Sequence, residues 1–180
     1  MAHVTGSGPE IADRSELDLR ADLLAEVDAA VERLLSAARS APGDALVDGT
    51  WTVRDVVGHV TFWHESFARN VDDLVHGGRP TPLRGRLSDL NERGVTEARA
   101  VPLDTVIGRL RIAHATIRAS ILSPSLGLIP YRVGSRPYSP SEHLEVVRDH
   151  VLAHARSVER ACAPGHERST RAARGVEGGP

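Results

Sequence analysis

His150 and His154 stand four residues apart in the stretch "RDHVLAHARS". On a helix, that spacing puts both side chains on one face, with Cβ atoms roughly 5–6 Å apart. Two neutral imidazoles so placed reach a single metal ion. The alternative is a pair of polar residues flanking a core stripe of Leu144, Val147, Val151, Ala155 and Val158. A third ligand from another helix would decide between them, and His59 is the candidate. Its own alternative is a histidine at the edge of a core, hydrogen-bonded to a neighbour. Asp55, one turn before His59, is placed to orient that ring, or else serves only as the partner in a helix cap.

Tyr131 and Tyr138 lie in an irregular stretch beside Arg132 and Arg136. With Arg79, Arg84 and Arg86 of an earlier loop they form a polar mouth for an anionic substrate, or they are simply solvated. His64, five residues beyond His59, falls about 140° round a helix and is expected to point elsewhere. His143 precedes His150 by two turns, about 10 Å along the axis, outside direct coordination. His114, on the third long helix, is left unplaced and could face the site. Trp51 and Trp63 read as core, and Cys162 as a small buried apolar residue.

Four amphipathic segments carry these groups. The first spans about Ser15 to Ser40, with Leu19, Leu23, Leu24, Val27, Val31, Leu34 and Leu35 on one stripe. The second opens at "TVRD", a capping box with Thr52 as N-cap and Asp55 in place of the usual Glu. It runs to about His76, where "HGGRPTP" breaks it. A linker with Asp89, Asn91 and Glu92 leaves room for a short helix. Pro102 suits the first position of a third long helix carrying Val106, Leu110, Ala113, Ile117 and Ile121. "SPSE" opens the fourth, with Ser139 as N-cap, Pro140 first and Glu142 third. Strand signals are absent. The expected fold is therefore all-α, a four-helix bundle with long connections between helices two and three and between three and four. Residues 15–163 form the domain, and residues 1–14 and 164–180 read as disordered tails. In an alternating bundle the second and fourth helices run parallel. His59 then sits about 9 Å out of register with the pair, which a modest stagger would absorb.

Composition narrows the functional classes. The net charge of -2 argues against a general nucleic-acid binder. No run of about 18 apolar residues exists, so no membrane helix is expected. A single cysteine rules out an internal disulfide framework and fits a reducing cytoplasm. All 22 basic residues are arginine, a mark of GC-rich coding. Aromatics are only 3% of the chain, which weighs against an aromatic-lined binding pocket.

"WTVRDVVGHVTFWHESF" resembles the second-helix signature of the DinB/YfiT-like superfamily, and "HVLAHA" resembles the His-x3-His of its last helix. The linker "LSDLNERGVTEARAVPLDTVIGRL" is similar to the ClbS/DfsB branch. The resemblance covers roughly Leu19 to Glu159. It implies a triad of His59, His150 and His154 holding a divalent metal, zinc, nickel or iron. It further implies a low-molecular-weight thiol such as mycothiol and a small reactive electrophile as substrate, in self-resistance, tailoring or detoxification. The activity expected is that of a hydrolase or thiol S-transferase, with Asp55, Tyr131 and Tyr138 as the catalytic candidates. A homodimer is in keeping with the superfamily. The alternative function is sequestration of a toxic small molecule without turnover.

Overall fold

A computed structural model gives the architecture and describes residues 8–163. The chain order is α1 (Gly8–Arg39), β1 (Leu46–Asp48), β2 (Trp51–Thr52), α2 (Val53–Val75), α3 (Leu87–Arg99), α4 (Leu103–Ser120) and α5 (Pro140–Cys162). The all-α class holds. The expected C-terminal tail lies outside the described residues, as do the first seven residues of the N-terminal one. Helix α1 begins at Gly8, inside the stretch read as a tail, because extending an existing helix adds one hydrogen bond per residue fixed.

Both capping boxes form. The Thr52 hydroxyl accepts from the Asp55 amide, and the Asp55 carboxylate accepts from the Thr52 amide. Ser139 and Glu142 do the same at α5, with Pro140 at its first position. Pro102 is the N-cap of α4, one position earlier than expected. The short antiparallel pair β1–β2 was not expected. It turns at Gly49, whose φ of 54° suits glycine, and it is too short to show a period of two.

Side-chain pairs give the helix directions. Helices α1 and α5 run parallel: Ser141 donates to Glu16, Arg148 pairs with Glu26 at 2.7 Å, and Arg33 pairs with Glu159 at 2.6 Å. Helix α4 runs against α1, since Arg20 reaches the Ser123 carbonyl while Asp28 meets His114. Helix α2 runs against α5, because Phe67 stacks on His143 while His59 meets His150 and His154. The parallel relation expected of these two helices is therefore corrected. The cause is α3, which doubles back along α2 and inserts an extra pass before α4.

Small residues let α3 come so close. A Cβ on Gly58 would lie 2.0 Å from Ala98 Cβ, and one on Gly94 would lie 2.8 Å from Phe62 Cβ. Leu90, Val95 and Ala98 close the contact, all buried.

The main core takes the stripes of α1, α2, α4 and α5, with Leu34, Leu35, Leu110, Ile117 and Leu144 fully buried. Each such side chain contributes roughly 1.5–3 kcal/mol by leaving water. Leu19 departs from its expected place and is 45% exposed, at the outer edge of the α1 stripe. Cys162 is exposed, at the last turn of α5, where few neighbours remain to cover it. No helix among the described residues is long and apolar enough to cross a membrane.

Candidate metal centre and cavity

Helix α2 brings His59 to the interior, and the antiparallel α5 brings His150 and His154 to meet it. His59 Nε2 lies 2.8 Å from His150 Nε2, and His154 Nε2 lies 3.2 Å from His150 Nε2. One ligand atom from each of the three lies within 4.8 Å of the others. The rings meet edge to face, with centroids 4.7–4.9 Å apart. Nitrogens bound to one tetrahedral ion at about 2.0–2.1 Å are separated by roughly 3.3 Å, so this donor set fits a divalent cation.

Electrostatics favours the ligand form. Burial, and then the neighbouring His150 and His154, push His59 down to about 3. Burial, then His154, pushes His150 down to about 4. His154 is lowered by burial as well. All three rings are neutral at pH 7, with lone pairs to offer.

Asp55 does not orient His59. Its carboxylate receives the Thr52 amide at 3.0 Å and two Arg99 donors at 3.0 and 2.9 Å. Burial raises its pKa, but Arg99 and Thr52 outweigh this and hold it below the usual carboxylate range. The buried Nδ1 of His59 has no hydrogen-bond partner among the described residues. The Trp51 ring lies tilted against His59, with centroids 5.1 Å apart.

The triad opens onto a cavity of about 400 Å³. Trp51 from β2, Trp63, His64 and Phe67 from α2, Leu87 and Asn91 from α3, Tyr131 from the last loop, and His143, Val146 and Val147 from α5 complete its wall. Tyr131 stacks on Trp63 at 5.0 Å, and Trp63 donates its indole N–H to Asn91 Oδ1 at 3.0 Å. Burial, then Tyr138, raises the Tyr131 pKa, so its hydroxyl stays protonated. Tyr138 stands behind Tyr131, edge-on at 5.9 Å and covered by the Arg136 guanidinium at 4.3 Å; it is not part of the wall.

The two long loops do meet, as a substrate mouth requires. Val133 donates to the Leu83 carbonyl, and Arg132 donates to the Gly85 carbonyl. Asn70 ties both loops to α2, donating to the Pro130 carbonyl and accepting from the Thr81 amide. Sequence reasoning missed Asn70, whose only signal is that it is the one amide side chain of α2, set among charged neighbours. Of the two readings of the loop arginines, the solvated one holds: Arg79, Arg84 and Arg86 are exposed and off the cavity wall, and Arg136 pairs with Glu142.

His64 also departs from expectation, for it lines the same cavity. Helix α2 has 16 buried residues among its 23, so a position 140° from His59 still faces the interior. His114, unplaced from sequence, bonds His64 on one side and Asp28 on the other. The low aromatic content misleads in the same way: Trp51, Trp63, Phe67 and Tyr131 are four of the chain's six aromatic residues, and all line the cavity.

Residues 48–123 match the family described as the mycothiol maleylpyruvate isomerase N-terminal domain. A crystal structure of mycothiol-dependent maleylpyruvate isomerase superposes with a TM-score of 0.63 at 13% identity, over 77% of this chain and 60% of that one. A histidine-to-alanine variant of that isomerase superposes with the same TM-score at 12% identity and the same coverage. This chain thus spans 60% of the length of the isomerase it matches. No curated protein sequence matches it. Neither match reaches the ClbS/DfsB branch.

Proposed function

Because this chain belongs to the DinB/YfiT-like superfamily, we propose that it is a metal-dependent enzyme that adds a thiol, or water, to a small electrophile. The observation that carries this reading is the convergence of the His59, His150 and His154 nitrogens on one point at the wall of a 400 Å³ cavity. The name of the matched isomerase supports mycothiol as the thiol.

His59, His150 and His154 would hold the cation and, as three neutral ligands, leave its charge intact and a coordination position open. When bound, such a cation lowers the pKa of a water or thiol that it contacts. The protein's own residues do the rest. Trp51, Trp63 and Phe67 exclude water from the electrophile, strengthening every polar contact inside. The protonated Tyr131 hydroxyl donates to a carbonyl or developing oxyanion. Asn91, whose oxygen is held by Trp63, keeps its amide donors for the substrate.

The tests are metal analysis and product analysis. Protein purified without a histidine tag and supplemented with zinc should hold about one ion per chain, and His150→Ala should lose it. Equal metal content in both would remove the metal from this reading. Incubation with mycothiol and an unsaturated keto acid should then yield product only with metal and thiol together.

A second reading, sequestration without turnover, draws on the four aromatic residues gathered round the cavity. Stoichiometric complex with unmodified compound would favour it.

A further inference from the structure

His64 shares the cavity with the triad but bonds in the opposite direction. Its Nε2 lies 3.4 Å from His114 Nδ1, and His114 Nε2 lies 2.8 Å from Asp28 Oδ1. Arg118 Nη1 holds the other Asp28 oxygen at 3.1 Å. The chain crosses three helices, α2, α4 and α1, from the cavity wall to a carboxylate that is 28% exposed.

The proton positions follow from the donors and acceptors. An ionised carboxylate only accepts, so His114 carries its proton on Nε2 and offers a lone pair at Nδ1. His64 must then donate from Nε2, which leaves the lone pair at its own Nδ1. That nitrogen has no protein hydrogen bond among the described residues. A ring anchored on one side by an Asp–His pair, with a free acceptor on the other, is built to take a proton.

We propose that Asp28, His114 and His64 form a proton relay between the cavity and solvent, with His64 as the proton acceptor and Asp28 and His114 as positioning residues. The donor is a thiol or water bound in the cavity, so the relay rests on the reading of that cavity as the reaction site. The S–H or O–H bond breaks, its electron pair stays on sulfur or oxygen, and the proton passes to His64 Nδ1. The Nε2 proton of His64 moves to His114 Nδ1, the Nε2 proton of His114 moves to Asp28, and Asp28 releases it to water. Both rings end neutral with exchanged tautomers. That suits rings whose burial disfavours an imidazolium, as burial and then the nearby histidines push His64 down to about 3. Reverse passage returns a proton to the adduct and restores the starting tautomers.

The test is long-range proton–nitrogen NMR of the histidine rings in the nitrogen-15-labelled full chain, zinc-loaded and without substrate. The wild type should show His64 and His114 both protonated at Nε2. In Asp28→Asn, Arg118 retains the carboxamide oxygen, so the amide NH₂ faces His114 Nε2. His114 must then carry its proton on Nδ1, and His64 must follow. A switch at both rings supports the relay. A switch confined to His114 breaks it, as does an Nδ1 proton on either wild-type ring. The wild-type spectrum keeps the test decisive even if the variant does not fold. Failure of zinc to bind leaves these tautomers in place, so the relay and the metal reading fall separately.

Discussion

The Phe67 ring stacks on His143 with centroids 4.0 Å apart and planes 25° from parallel. Eight residues earlier on α2, His59 meets His150 and His154, seven and eleven residues later on α5. The two contacts together hold α2 and α5 antiparallel. In that register one face of α5 presents His143 and then the His-x3-His pair along a single cavity wall.

The α2–α3 contact should be the least forgiving of added volume. Gly58→Ala places a methyl 2.0 Å from Ala98 Cβ, an overlap that no rotamer change relieves. Helix propensity returns about 1 kcal/mol, while overpacking costs typically 1–3 kcal/mol and here the upper part of that range. Urea denaturation should show a net loss of about 1–2 kcal/mol. Ala98→Gly in the same chain should restore most of it.

Asp55 should act on stability and leave the metal alone. Asp55→Ala removes a helix cap and a bidentate arginine pair, and should cost about 2 kcal/mol in chemical denaturation. Zinc content should stay at the wild-type level. Lost zinc with unchanged stability would instead put Asp55 in the metal centre.

Trp51 should report on the triad. Its ring lies 5.1 Å from His59, whereas Trp63 stacks on Tyr131 across the cavity wall. Zinc titration should change tryptophan fluorescence and saturate near one equivalent. Trp51→Phe should abolish most of the change, and Trp63→Phe should keep it.

Acid should destabilise the fold through its buried imidazoles. Burial, and for His64 the neighbouring histidines, lower the folded-state pKa values of His64 and His143 to about 3 and about 4, from 6.5. Between those limits the unfolded chain binds the extra protons, so stability is complete above pH 6.5 and falls as pH drops toward 4. The slope is roughly 1.4 kcal/mol per pH unit for each histidine. Denaturation in a chelator across this range should show it, and His143→Phe should make the slope shallower.

The caps, the main helical stripes and the triad's membership were all readable in the chain. Thr52 with Asp55, and Ser139 with Glu142, bond within four residues, so their chemistry is local. Val106, Leu110, Ala113, Ile117 and Ile121 repeat at the helical period and are all buried. Helix α3 was barely visible because it is polar and holds its place through small residues, Gly94 and Ala98, whose meaning depends on Gly58 and Phe62 across the contact.

The same divide separates the two sets of histidines. Spacing on one helix brought His150 and His154 together, and the motif round His59 named their partner. Whether α2 runs with or against α5, whether His64 faces water or the cavity, and whether a few scattered aromatic residues make one wall depend on contacts between segments far apart in the chain. Such contacts leave no period or cap in the sequence, because the energy that selects them is the packing of one whole surface against another.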